Sequence, residues 1–159
     1  MKIVTFILLL FVIPFNGDDI KVKRKFYPDK TLKSECLYKS GYNVKYLKTF
    51  YKNGQLKGEG RLKNIKKIDY WFYYYDNGNK KSEGHYVNNR KIDWWIVYNE
   101  KGQKTNEGHY DGQLKNGYHH IYKNGILKWM GLYKNDIKIG TWVTLNENQE
   151  MIEIKEYGE

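Results

Sequence analysis

Four histidines and a column of glutamates are the residues of this chain whose chemistry could matter first. His85 and His109 each stand between a Gly and a Tyr, 24 positions apart, and His119-His120 adds an adjacent pair. Imidazoles in one column, one repeat apart, could come within a strand spacing or two and begin a zinc site. Such a site needs three or four ligands. No third ligand shares the column, so the histidines are read as exposed residues on a polar strand face. Glu35, Glu59, Glu83 and Glu107 recur at the same step. Paired carboxylates can divide acid and base roles, but Lys33, Lys57 and Lys81 stand two residues before the first three. A same-face Lys/Glu ladder that keeps a sheet soluble and in register is the better reading. Cys36 is the only cysteine, which rules out an internal disulfide and reads as a small packed residue rather than a reactive thiol. No Gly-x-Ser-x-Gly, Walker loop, His-Glu-x-x-His or cysteine pair occurs. A nucleophile, base and orienting group are not assembled, so the expectation is no enzyme, no cofactor and no metal.

The elements that would position these columns are visible as a repeat. Asn53-Gly54, Asn77-Gly78, Lys101-Gly102 and Asn124-Gly125 align in one column, with weaker members at Asp29-Lys30 and Asn148-Gln149. A step of 24 residues with one deletion near 111-116 gives six copies, at 21-44, 45-68, 69-92, 93-115, 116-139 and 140-159. A period of this size signals a repeat array. Asn-Gly between aromatic, alternating segments is a hairpin signal, because a two-residue type I′ turn needs positive φ at both centres. With that turn at Asn77-Gly78, Tyr75 opposes Lys80, Tyr73 opposes Ser82 and Trp71 lies over Gly84. The same register puts Trp95 over Gly108, Tyr118 over Gly131 and Tyr51 opposite Leu56. One face then carries the structural aromatics Trp71, Trp95, Tyr118, Trp142, Tyr86, Tyr110 and Tyr133, with Gly54, Gly78, Gly102 and Gly125 as turn glycines. The other face follows from strand alternation. It takes Phe26, Phe50, Tyr74, Tyr98, Ile121 and Leu145, with Lys33, Lys57, Lys81, Thr105 and Lys128 opposite. Helical spacing is absent after residue 20, so the expected fold is all-β, an elongated array of about six antiparallel hairpins in a single twisted layer.

The chain has 159 residues and a formal charge of +10. Lys2 precedes an uninterrupted apolar run, Ile3 to Ile13, then Pro14, Phe15, Asn16 and Gly17, the pattern of a signal peptide over 1-17. Its removal leaves a repeat domain over 18-159 and takes one Lys and no acid, for +9. The product is expected to be exported, periplasmic or secreted, or membrane-tethered if the segment is not cleaved. A basic balance points to negatively charged partners or to plain solubility.

"DYWFYYYDNGNKKSEGHY", "DWWIVYNEKGQKTNEGHY" and "NGYHHIYKNGILKWMGLY" resemble the second bacterial variant of the MORN repeat, found in YwqK-type antitoxin proteins. The family pattern is Gly-x-Trp-x-x-Tyr-x-x-Asn-Gly, then Leu-Lys-x-Glu-Gly-x-Tyr. The opening Gly is replaced by Asp69 and Asp93, and recurs at Gly140 and, displaced by one, at Gly117. The resemblance implies an elongated binding or scaffolding surface and an antitoxin-like role. Phe50, Tyr74 and Tyr98 with Lys57 and Lys81 form the candidate binding face, unless the array curls and buries part of it. The first function reading is an exported, non-catalytic scaffold that binds another protein. The alternative is an envelope-associated module for anionic lipid or polysaccharide. Nucleic acid is disfavoured by the export signal, and the open end hairpins suit edge-to-edge self-association.

Overall fold

The computed structural model describes residues 20-158. The segment 1-17 lies outside them. Twelve strands form one open antiparallel sheet whose order in space is their order in the chain. The first six are β1 Ile20–Phe26, β2 Leu32–Lys39, β3 Val44–Phe50, β4 Leu56–Lys63, β5 Lys66–Tyr74 and β6 Lys80–Val87. The rest are β7 Arg90–Tyr98, β8 Lys104–Gly112, β9 Leu114–Lys123, β10 Ile126–Lys134, β11 Ile137–Leu145 and β12 Met151–Tyr157. Each pair β1/β2 to β11/β12 is one hairpin, and no helix occurs among the described residues.

The hairpin bends sit where the Asn-Gly column places them, but most are of a different kind. Tyr75 N–H donates to the Asn79 carbonyl and Gly78 N–H to the Tyr75 carbonyl, enclosing a three-residue loop. Among the loop residues only Gly78 has positive φ, at 87°. This is a type I turn closed by a left-handed residue, the usual three-residue solution. The bends at Gly54 and Gly102 repeat it, as do those at Lys30 and Gln149, whose φ values are 68° and 65°. The extra loop residue shifts the local register. Tyr74, not Tyr75, pairs with Lys80, and Phe50, not Tyr51, pairs with Leu56. Gly125 is the exception. Asn124 and Gly125 both have positive φ (53° and 80°), and Lys123 pairs directly with Ile126, a two-residue type I′ turn. The deletion in the repeat therefore lies in this turn and not at 111-116.

Moving the gap changes the columns of the fifth copy. His119, not Tyr118, pairs with Gly131, and Tyr118 is 62% exposed opposite Leu132. Tyr118 is thus no structural aromatic. The same correction puts Gly117 in register with Asp69, Asp93 and Gly140, and all four have positive φ. Asp tolerates the left-handed region better than most residues, so two copies hold this bend without glycine.

That left-handed residue belongs to a bulge at the entry to the third, fourth, fifth and sixth hairpins. Gly60 pairs with Trp71 while the next residue, Arg61, pairs with Ile68, leaving Asp69 and Tyr70 as extra residues. The bulge frees a backbone carbonyl and aims the indole at it. Trp71, Trp95 and Trp142 Nε1 donate to the carbonyls of Arg61, His85 and Leu132 at 3.0, 3.1 and 3.0 Å. Each ring lies on a glycine of the preceding copy. A Cβ built on Gly60, Gly84 or Gly131 would stand 2.4, 2.3 and 2.4 Å from the rings of Trp71, Trp95 and Trp142. The pairings Trp71 with Gly84 and Trp95 with Gly108 hold; the ring contact, however, is with the glycine on the other side. Tyr86 wedges edge-on against Trp71 and Trp95, and Tyr133 against Trp142. Edge-to-face rings over glycines let one layer of sheet bury Trp95 completely.

Candidate functional site

The two faces of the sheet treat charge differently. On one, Glu83 is 8% exposed and accepts from Lys80 Nζ at 3.0 Å and from the Tyr98 hydroxyl at 2.7 Å. Glu59 accepts from Tyr46 and Tyr74 at 2.9 and 3.2 Å. Glu107 is held by Lys104 at 2.8 Å, Tyr122 and His120. Burial opposes its ionisation, but these donors hold its carboxyl below the usual range. Burial and the neighbouring Glu59 push the Tyr74 phenol up to about 12, and burial with Glu83 pushes Tyr98 up as well. The glutamate column is a set of charges closed off by the phenols of the following copy. Lys48 stands 4.0 Å from Glu59, and Glu83 and Glu107 pair with Lys80 and Lys104, three residues before them, and not with Lys57 or Lys81.

The proposed binding row is therefore split. Tyr74 and Tyr98 spend their hydroxyls on Glu59 and Glu83, and the Phe50 carbonyl takes the Tyr27 hydroxyl at 2.8 Å. Lys57 and Lys81 are turned to the tryptophan face, with Nζ 5.3 and 5.2 Å from the ring centres of Tyr51 and Tyr75. Replacing Tyr98 with Phe removes one donor from a buried carboxylate, for which a loss of about 2 kcal/mol is expected. Urea unfolding of the Tyr98→Phe variant measures it.

The tryptophan face carries a lysine in each copy that lies across the rings. Lys67 Nζ is 4.9 Å from the Trp71 centre and 5.0 Å from Tyr86. Lys91 lies 4.5 Å from Trp95 and 5.1 Å from Tyr110, and Lys138 4.0 Å from Trp142. These are cation–π distances. No ion pair among the described residues involves Lys57, Lys67, Lys81, Lys91, Lys115 or Lys138.

His119 is the residue that column counting overlooked. It is fully buried in the tryptophan column, with Nε2 2.7 Å from the His109 carbonyl, the position an indole N–H takes elsewhere. That contact fixes the proton on Nε2 of the neutral ring. Nδ1 lies 3.3 Å from the Asn106 side-chain amide, and Tyr110 and Tyr133 stand edge-on at 5.2 and 5.0 Å. Burial lowers its pKa from 6.5 to about 4. The signal existed in the sequence: His119 follows the start of its strand by the same interval as Trp71, Trp95 and Trp142. The other histidines are placed differently. His85 and His109 are exposed against Tyr70 and Trp94, and no group of three His, Cys, Asp or Glu among the described residues could hold a metal.

A single-layer ribbon of hairpins, of which the third to sixth each bed a ring on a glycine of the copy before, defines a β-hairpin repeat scaffold. The family model described as a MORN repeat variant matches residues 46–64 and 70–88, within the second and third hairpins. Those two stretches are similar to the MORN repeat variant, and the neighbouring hairpins repeat their pattern. No curated protein matches the chain.

Proposed function

We propose that the protein is a non-catalytic, exported scaffold that binds another protein along its tryptophan face. The observation that carries this reading is the asymmetry of charge. Carboxylates are engaged by Lys and Tyr on one face, while the lysines over the rings of the other have no acidic partner among the described residues. A row of unmatched cations lying over buried rings suits an acidic protein partner. Export rests on Lys2 and the apolar run that follows, and the antitoxin-like role on the repeat resemblance alone. The outer edges of β1 and β12, which pair with no strand among the described residues, favour self-association as well.

Those same lysines support a second reading, an envelope-associated module for anionic lipid or polysaccharide. Crosslinking in the native cells, followed by identification of what is captured, separates the two. Capture of a defined protein whose binding survives physiological ionic strength, where screening reaches about 8 Å, supports the first. Recovery of lipid or glycan without protein overturns it.

A further inference from the structure

Copies two to four enclose a concavity of about 300 Å³ on the tryptophan face, lined by Lys57, Lys67, Lys81 and Lys91 with Tyr73 and Tyr86 among the rings. From its polar groups and its lack of acids we infer that this concavity is a binding site for a polyvalent phosphate-type oxyanion of a soluble ligand. The four ammonium groups come from the second residues of β4, β5, β6 and β7, so no single local motif accounts for their meeting. No lining residue is acidic. The hydroxyls complete the donor set. Lys67 Nζ donates to the Tyr73 hydroxyl, and Tyr73 donates to the Tyr86 hydroxyl at 3.3 Å. The chain runs one way, and no acceptor for the Tyr86 proton occurs among the described residues. That proton is left for an incoming oxygen. A concavity whose charges are all positive, with a Tyr86 hydroxyl proton still to donate, favours a group with several acceptor oxygens and more than one negative charge.

Burial lowers the pKa of Lys67 and of Lys91, and the nearby Lys91 charge adds to the shift at Lys67. A bound dianion would relieve both effects. The rings are covered by the lysine stems, with Trp71 and Trp95 nearly inaccessible. Stacking of a flat ligand on them is thus closed off, and recognition falls to charge and hydrogen bonds. The site shares Lys67 and Lys91 with the protein-partner reading, but anion binding is measured without any protein partner, so either can fail alone.

The test is calorimetric titration of the full chain with inorganic pyrophosphate, at ionic strength held constant with sodium chloride. The expected result is saturable one-site binding, weakened at least tenfold by Lys67→Met and by Lys91→Met. Lys101→Met, in the exposed turn outside the cavity, leaves it unchanged. The pair Lys57→Met and Lys81→Met, both on exposed side chains, gives the same reading if either inner substitution unfolds the protein. Absence of saturation overturns the proposal. So does equal weakening by Lys101→Met, or binding seen only to phosphatidic acid vesicles and never to the free anion.

Discussion

Trp95→Ala is expected to lower the unfolding free energy by about 3–5 kcal/mol, the range for deleting a fully buried aromatic side chain. The indole is wholly inaccessible, its N–H is satisfied by the His85 carbonyl, and Tyr86 closes on it at 4.9 Å. Gly84→Ala attacks the same contact from below. Its Cβ would stand 2.3 Å from Trp95 Cδ2, and a planar ring wedged by Tyr86 has no alternative position. An overpacking loss of about 3 kcal/mol follows. The two losses are coupled, because once the indole is gone the new methyl has room. The double variant is expected to be less destabilised than the sum of the single variants by about 2 kcal/mol. Urea denaturation of the four proteins closes the cycle. Additive losses would mean that glycine at this column is required for something other than the ring.

Acid should weaken the sheet through His119, with an effect on the order of 3 kcal/mol. In the unfolded chain the imidazole takes up a proton near 6.5, whereas burial in the fold delays this to about 4. Between those values the unfolded state binds more protons. Stability attributable to this ring is therefore full above pH 6.5, falls as the pH drops toward 4, and levels off below. His119→Trp restores the residue type of the neighbouring copies and removes the titration. The difference in unfolding free energy between variant and wild type should grow between pH 6.5 and 4. A difference independent of pH would show that the ring protonates without cost.

Both predictions turn on a glycine column that was legible in the sequence, whereas the details around it were not. The hairpins, their order and the pairing of Trp71 with Gly84 follow from alternation and turn chemistry. The choice between two-residue and three-residue bends does not, since Asn-Gly suits the type I′ turn at Asn124-Gly125 and Asn77-Gly78 closes a longer loop. One residue of loop decides on which face the following lysine falls. Strict alternation consequently puts Lys81 and Lys57 on the glutamate face, whereas the partners of Glu83 and Glu107 are Lys80 and Lys104. Placing the deletion upstream of the bend moved Tyr118 into a buried column that belongs to His119. The bulge at Asp69 was hidden for another reason: its left-handed φ is met by Asp as well as Gly, so no single residue type marks it. The cavity between Lys67 and Lys91 is beyond any one-copy pattern, because it joins side chains from successive repeats.

Every strand of this sheet pairs only with the strands before and after it in the chain. Few all-β architectures avoid long-range closure in this way, and slow folding is the usual consequence of such closure. Here the chain can commit each bend as soon as about two dozen residues are free, then lay the next against a finished template. Growth is vectorial, compatible with emergence from a narrow channel, and the number of copies can change without redesigning those already in place.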